Sequence, residues 1–261
     1  MEQQWREAAQ SLWSHWQDGR RMDALPAACR PSTREAGYAI QAQIQAVSGR
    51  SSFGWKIAAT SAAGQAHIGV DGPLAGRLLD GQVHDPGMTL SLRGNRMRVA
   101  EPEFAFRMRR DLPTRSHDYT TEEVLDAAGT LHPAIEVPDS RYADFARVGA
   151  AQLIADNACA HQFVLGKATS ADWRRVDLSQ HEVHGRLEGR LERAGKGANV
   201  LGDPRAALTW IANELSRLGV GLRAGEVVTT GTCMQPLDVQ PGDHAIADFG
   251  VFGRVNVRFS D

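Results

Sequence analysis

The 261-residue sequence is 42% hydrophobic and contains 26 glycines, which suits a globular chain able to bury roughly 70–75% of its unfolded surface. Its charges are mixed along the chain and sum to a formal −2, so the electrostatic footprint expected of a nucleic-acid or anionic-membrane binder is missing. No apolar run nears the ~20 residues of a bilayer span, the first residues lack a signal-peptide core, and the 3 cysteines show no paired spacing, all of which points to a reduced cytoplasm.

The first fifty residues read as helical. Trp5, Ala9, Leu12 and Trp16 recur at helical spacing, and three tryptophans (5, 13 and 16) on one short helix suggest either a binding face or a helix packed on the body or another subunit. A second helix is predicted from Ser32, where Ser32-Thr33-Arg34-Glu35 has capping-box spacing, through Ala36, Ile40, Ile44 and Val47 to Gly49. From residue 50 the texture changes to short strands broken by glycine and proline. Phe53, Trp55, Ile57 and Ala59 alternate with Ser52, Gly54, Lys56 and Ala58. Further strands are predicted over Val99–Met108, Ala134–Val137 and His161–Leu165. Helices are predicted from Thr120 to about Gly129, over Ala150–Ala158, and from Asp203-Pro204 to Gly219. The C-terminal part should be β-rich, over Glu226–Thr230, Asp243–Phe249 and Arg254–Phe259. Strand and helix do not alternate regularly, so a doubly wound sheet is not expected. The organisation is α+β, with a helical N-terminal region over 1–50 and a β-rich body over 51–261.

Three groups of residues carry chemistry. In Glu101-Pro102-Glu103 the two carboxylates of one strand point to the same face, while Phe104 and Phe106 point the other way, into a core. Adjacent carboxylates repel and raise each other's pKa unless a cation lies between them. Mg²⁺ or Mn²⁺ suits such oxygen ligands, and two solvated glutamates on an edge strand are the alternative. Glu136 sits inside the apolar segment Pro133–Val137, where an unpaired charge is costly, so it is either a third ligand or the partner of Arg141. Lys56 faces away from Trp55 and Ile57, between Gly54 and Ala58. It therefore either lines a cavity, partly desolvated with a lowered pKa, or is an ordinary exposed strand lysine.

In order and spacing, these segments resemble the 2-oxopent-4-enoate hydratase and 4-oxalocrotonate decarboxylase family of the fumarylacetoacetate-hydrolase-like superfamily. The resemblance also runs through Gly54–Ser61, Ile68–Pro73, Val99–Phe106, Asp156-Asn157-Ala158, Val164-Leu165-Gly166 and Thr230-Gly231-Thr232. It implies a mixed β-roll core with a helical N-terminal segment, a catalytic domain over 51–261, and assembly as a homo-oligomer. It places the metal triad on Glu101, Glu103 and Glu136, the active-site lysine on Lys56 and an active-site acid on Asp80. Thr232 would sit at the rim of the site, and Ser140, just after the third ligand, would meet substrate. Lys167 and Cys233-Met234-Gln235 depart from the family pattern, where the distal end of a substrate is expected.

The implied activity is addition of water to a 2-hydroxy-2,4-dienoate, giving a 4-hydroxy-2-oxo acid, with Mg²⁺ or Mn²⁺ as cofactor and no nucleic-acid or membrane partner. Decarboxylation of a 2-oxo-enedioate of the 4-oxalocrotonate type is the alternative, since the same electron sink serves both reactions. An acylpyruvate C–C hydrolase would need a histidine base on a lid, with His67 and His84 as the available candidates. A non-catalytic relative that binds 2-oxo acids is disfavoured because all three carboxylates are intact.

Overall fold

The structure, a computed structural model, describes residues 2–261. Helix α1 (Glu2–Asp18) buries Ala8, Ala9, Leu12 and Trp13. The Trp16 ring lies over the Arg141 guanidinium, 4.3 Å from its carbon, so this part of the tryptophan-bearing face packs on the body. Thr33 rather than Ser32 caps α2 (Arg34–Ala42), because Thr33 holds the extended backbone that lets its hydroxyl accept from Ala36 N. The predicted single helix is broken at Gln43, and α3 (Ile44–Ser48) ends on left-handed Gly49. The remaining helices are α4 (Ala62–Ile68), α5 (Thr121–Ala127), α6 (Ala150–Ala155) and α7 (Pro204–Arg217). The predicted helix from Thr120 to Gly129 stops two residues early, since Ala128 and Gly129 already belong to a strand.

Among the described residues thirteen strands form two sheets. They are β1 (Ser52–Ala58), β2 (Leu74–Leu79), β3 (Val83–His84), β4 (Thr89–Ser91), β5 (Val99–Met108), β6 (Ala128–Val137), β7 (Gln162–Leu165), β8 (Glu182–Leu187), β9 (Leu191–Lys196), β10 (Val227–Thr232), β11 (Leu237–Asp238), β12 (His244–Asp248) and β13 (Arg254–Ser260). The larger sheet runs β2-β1-β10-β5-β6-β7-β3, with β11 on the other stretch of β5. The second runs β4-β13-β12-β8-β9. This is the expected α+β architecture of a mixed, curled sheet with helices at the N-terminal end. Strand β6 is six residues longer than the sequence suggests, and β2, β8 and β9 were not anticipated from local pattern.

The main core lies where one face of the large sheet meets the second. Phe104, Phe106, Leu131, Ile135 and Val137 bury against residues such as Val183, Leu187, Ala245, Val255 and Val257. Full burial of such side chains is worth about 1.5–3 kcal/mol each, and it fixes which way every residue of β5 and β6 points. With Phe104 and Phe106 inward, Glu101 and Glu103 must project from the opposite face. A smaller apolar group on that face, Leu78, Ala105, Ala134, Phe163 and Val227, forms a floor beside them. Among the described residues no helix is long and apolar enough to cross a membrane.

Candidate active site

Strand register brings the carboxylates together. Glu101 on β5 lies directly opposite Glu136 on β6, and Glu103 lies opposite Ala134 on one side and Thr232 on the other. Like charges placed opposite each other on neighbouring strands repel. Here a third joins them, and one oxygen from each of Glu101, Glu103 and Glu136 lies within 4.8 Å of the others. Glu103 and Glu136 are fully buried, and Glu101 is half-buried. The alternative of solvated edge glutamates fails, because β5 is internal to the sheet.

Each side chain is aimed by its neighbours. Oε2 of Glu103 accepts the Thr229 hydroxyl at 2.5 Å and Gly231 N–H at 2.9 Å, which leaves Oε1 facing the cluster without a partner. Gly231 holds φ +96°, and a Cβ there would collide with the Thr60 hydroxyl, so glycine is what lets this N–H approach Glu103. Neither oxygen of Glu136 makes a hydrogen bond, although Lys56 Nζ lies 3.1 Å from its Oε2. Strands β1 and β6 are three strand spacings apart, roughly 14 Å in a flat sheet, so only the curl of the sheet permits this contact.

Lys56 is 2% exposed, which removes the reading as an ordinary surface lysine. Its ammonium donates to Ala158 C=O at 3.0 Å. Burial alone would lower its pKa, as the sequence suggests, but Glu136, Glu101 and Glu103 together hold it above the ordinary value. The carboxyls respond in the opposite sense. Burial first and Glu136 second push Glu101 up to about 7. Burial also drives Glu103 well up, with Glu136 and Glu101 adding to it, and it raises Glu136 despite the attraction of Lys56. Three crowded carboxylates, with Glu103 Oε1 and both oxygens of Glu136 buried and without hydrogen-bond donors, are what a divalent cation with hard oxygen ligands would relieve. The residues therefore fit such an ion.

Other expected site residues lie elsewhere. Asp80 is exposed in the turn after β2, where its N–H bonds Ser51 C=O. Lys56 pairs with Gly76, so Asp80 lies four residues farther along the chain, roughly 13 Å from the level of the Lys56 backbone. It lines a separate pocket with Phe53, His84, Arg107, His132 and Lys167. The expected acid–base role of Asp80 is thus not supported by its position. Ser140 is buried, and its hydroxyl donates to Asp156 at 2.7 Å, so it anchors the chain after β6 instead of facing a ligand. Arg141, the alternative partner of Glu136, pairs instead with buried Asp156. Thr232 is half-buried beside Glu103 with its hydroxyl donated to Met234 C=O at 2.9 Å, and that loop is tied down by Cys233 N–H on Pro102 C=O. His84 lines the separate pocket, and His67 stacks edge-on with Phe145.

Sequence reasoning missed Thr229 and the Ala158 carbonyl. Alternation along β10 could have placed Thr229 on the face of Lys56, but no local signal marks the turn that presents Ala158.

The chain is similar to known proteins in sequence and in fold. Residues 80–260 match the profile of the fumarylacetoacetate (FAA) hydrolase C-terminal family. The chain is 35% identical over 260 residues to a 2-keto-4-pentenoate hydratase of Paraburkholderia xenovorans (strain LB400), covering 98% of this chain and 95% of that protein. It is 30% identical over 221 residues to a 2-hydroxyhexa-2,4-dienoate hydratase of Comamonas testosteroni, covering 84% and 82%. Among solved structures, 4-oxalocrotonate decarboxylase from Pseudomonas putida G7, complexed with magnesium and adipate, superposes with a TM-score of 0.89 at 26% identity, covering 99% of this chain and 98% of that one.

Proposed function

The chain belongs to the fumarylacetoacetate hydrolase family, and from that membership we propose that it is a divalent-metal-dependent hydratase of 2-hydroxy-2,4-dienoates. The observation that carries this reading is the carboxylate trio Glu101, Glu103 and Glu136 with buried Lys56 against it, in a chain whose relatives are named hydratases. The trio would hold Mg²⁺ or Mn²⁺, and a magnesium complex of the similar decarboxylase favours Mg²⁺. Such an ion supplies a Lewis acid for the 2-oxygen and carboxylate of a substrate.

The chain's own groups do the rest. In the first half-reaction the 2-hydroxyl loses its proton and C5 gains one, which moves the double bonds to give the 2-oxo-3-enoate. In the second, water places its oxygen on C4 and a proton reaches C3, giving the 4-hydroxy-2-oxo acid. Lys56 Nζ is the proton carrier nearest these events outside the trio, held between Ala158 C=O and Glu136. Its raised pKa keeps it a cation at neutral pH, so it holds an anionic substrate and gives up a proton only as negative charge gathers on the reacting acid. Thr229 and Gly231 keep Glu103 from turning toward Lys56. The floor of Leu78, Ala134, Phe163 and Val227 keeps bulk water from the underside of the site.

Decarboxylation remains the second reading, favoured by the structural likeness to the decarboxylase. Supplying 2-hydroxypenta-2,4-dienoate and 4-oxalocrotonate in parallel, with product identification, separates them. Water addition to the dienoate supports the hydratase, and CO₂ release from the enedioate without hydration supports the decarboxylase.

A further inference from the structure

Asn157, Ala158 and Cys159 are three consecutive non-glycine residues with positive φ, at +55°, +50° and +62°. Left-handed backbone is disfavoured for side chains with a Cβ, asparagine least so among them, and a run of three persists only where surrounding contacts impose it. Here the contacts are specific. The Asn157 carboxamide pairs with the main chain of Arg77 as a strand would, accepting Arg77 N–H at 2.6 Å and donating to Arg77 C=O at 2.8 Å. It thereby closes the outer edge of β2, whose preceding alternate residue, Ala75, is closed by Tyr38 and Gln41. On the other side of the turn, buried Asp156 is fixed by Arg141 and by the Ser140 hydroxyl.

The product of this arrangement is one buried backbone carbonyl turned into the site. The turned chain aims Ala158 C=O at Lys56 Nζ, 3.0 Å away, while Glu136 takes the ammonium from the other side. Gly76, the cross-strand partner of Lys56, makes room for both. A Cβ there would strike Asn157 C=O and come within 3.0 Å of Lys56 Cδ. Asn157 itself touches neither the lysine nor the carboxylate trio through its side chain.

We propose that Asn157 is a positioning residue: its side-chain clamp on Arg77 sets the left-handed turn whose Ala158 carbonyl holds the Lys56 ammonium in place for proton transfer. This rests on the reading of Lys56 given above. The clamp turns a two-point backbone contact on a rigid strand into a fixed direction for a carbonyl one residue away. Without it the turn can relax toward ordinary backbone, and the ammonium is left to Glu136 alone. The lysine then loses its reach without losing its charge.

The test uses the full chain with Mn²⁺ saturating and 2-hydroxypenta-2,4-dienoate as substrate. Asn157→Gly keeps a residue at ease with positive φ and removes only the clamp. It should lower kcat about 10–100-fold, the cost of misplacing a reacting group by ~1 Å, with KM and the Mn²⁺ dissociation constant within about threefold of the wild type. Gln41→Leu removes two buried hydrogen bonds, one to Ala75 C=O on the same strand edge and one to Ile154 C=O on α6, and leaves the contacts of the Asn157 side chain and of Ala158 C=O in place. It should lower Tm and leave kcat at permissive temperature unchanged. Asn157→Asp, which keeps the acceptor for Arg77 N–H, should give an intermediate kcat. Wild-type kcat in folded Asn157→Gly overturns the proposal. So does a loss of kcat in Gln41→Leu in step with its Tm, or failure of both Asn157 variants to fold, since either makes the edge merely structural. Lys56→Met separates the two levels. Full activity there sinks the reading of Lys56 itself, whereas an inactive Lys56→Met beside an unaffected Asn157→Gly sinks only this inference.

Discussion

Replacing Glu103 by glutamine probes the carboxylate trio with the least change of shape. Glu103 is 0% exposed, with Oε2 committed to the Thr229 hydroxyl and Gly231 N–H. The Gly231 N–H cannot turn, so in Glu103→Gln the amide oxygen must face it. The NH₂ then takes the place of Oε1 and presents hydrogens to the centre of the trio. One unit charge acting on another at ~4 Å in an effective dielectric of ~20 is worth about 4 kcal/mol. Even if water recovers half of what a divalent ion gains, the variant should bind Mn²⁺ about 10³-fold more weakly. Metal-free stability should move the other way. Glu103 has a strongly raised pKa because burial and two neighbouring carboxylates oppose its charge, so removing that charge relieves the fold. Calorimetric titration with Mn²⁺ and thermal melts with and without metal measure both quantities. The expected result is a metal-free Tm at or above the wild type, no rise in Tm on adding Mn²⁺, and no metal-dependent turnover. Wild-type Mn²⁺ affinity would refute the assignment of this residue to the metal.

Metal-free wild-type protein should lose stability as pH rises. The trio's carboxyls have folded pKa values raised above the ordinary 4.5, so their stabilising protonation is complete below about 4.5 and is lost as pH rises through the folded values, for Glu101 at about 7. Melts between roughly pH 5 and pH 8 should show Tm falling, and saturating Mg²⁺ should flatten the trend. A metal-free Tm that climbs over this range contradicts the charge crowding. With metal saturating, Lys56→Met should lower kcat by ~10²–10⁴-fold, as measured by steady-state kinetics, and an unchanged kcat would reduce Lys56 to a counter-charge for Glu136. Asp80→Asn should change stability by under about 0.5 kcal/mol and leave turnover intact, because the side chain is exposed and remote. A hundredfold loss there would bring Asp80 back into the chemistry.

What the sequence made legible was what strand alternation controls. Two apolar side chains at 104 and 106 were enough to turn Glu101 and Glu103 to one face, and a single carboxylate in the apolar run 133–137 marked Glu136. What it hid depends on register and curl. Asp80 follows β2, which pairs antiparallel with Lys56's strand β1, and that register carries it to the level of Ser51, away from Lys56. The raised pKa of Lys56 could not be foreseen from its small neighbours, because the carboxylates that raise it arrive from strands up to three places away. The hairpin β8–β9 escaped notice because its inward positions Val183, Gly185 and Leu187 alternate with charged residues around a glycine. The left-handed run 157–159 has no periodicity at all. Only an asparagine, tolerant of that backbone, hints at it.

The most direct measurement is of the product formed from 2-hydroxypenta-2,4-dienoate in isotopically labelled water, with Mg²⁺ present and after its removal by chelation. The expected product is a 4-hydroxy-2-oxo acid carrying a labelled oxygen at C4, formed with metal, lost on chelation and restored by Mg²⁺ or Mn²⁺. Equal turnover in the chelated protein, or no hydrated product with metal present, would contradict the metal-dependent hydratase reading.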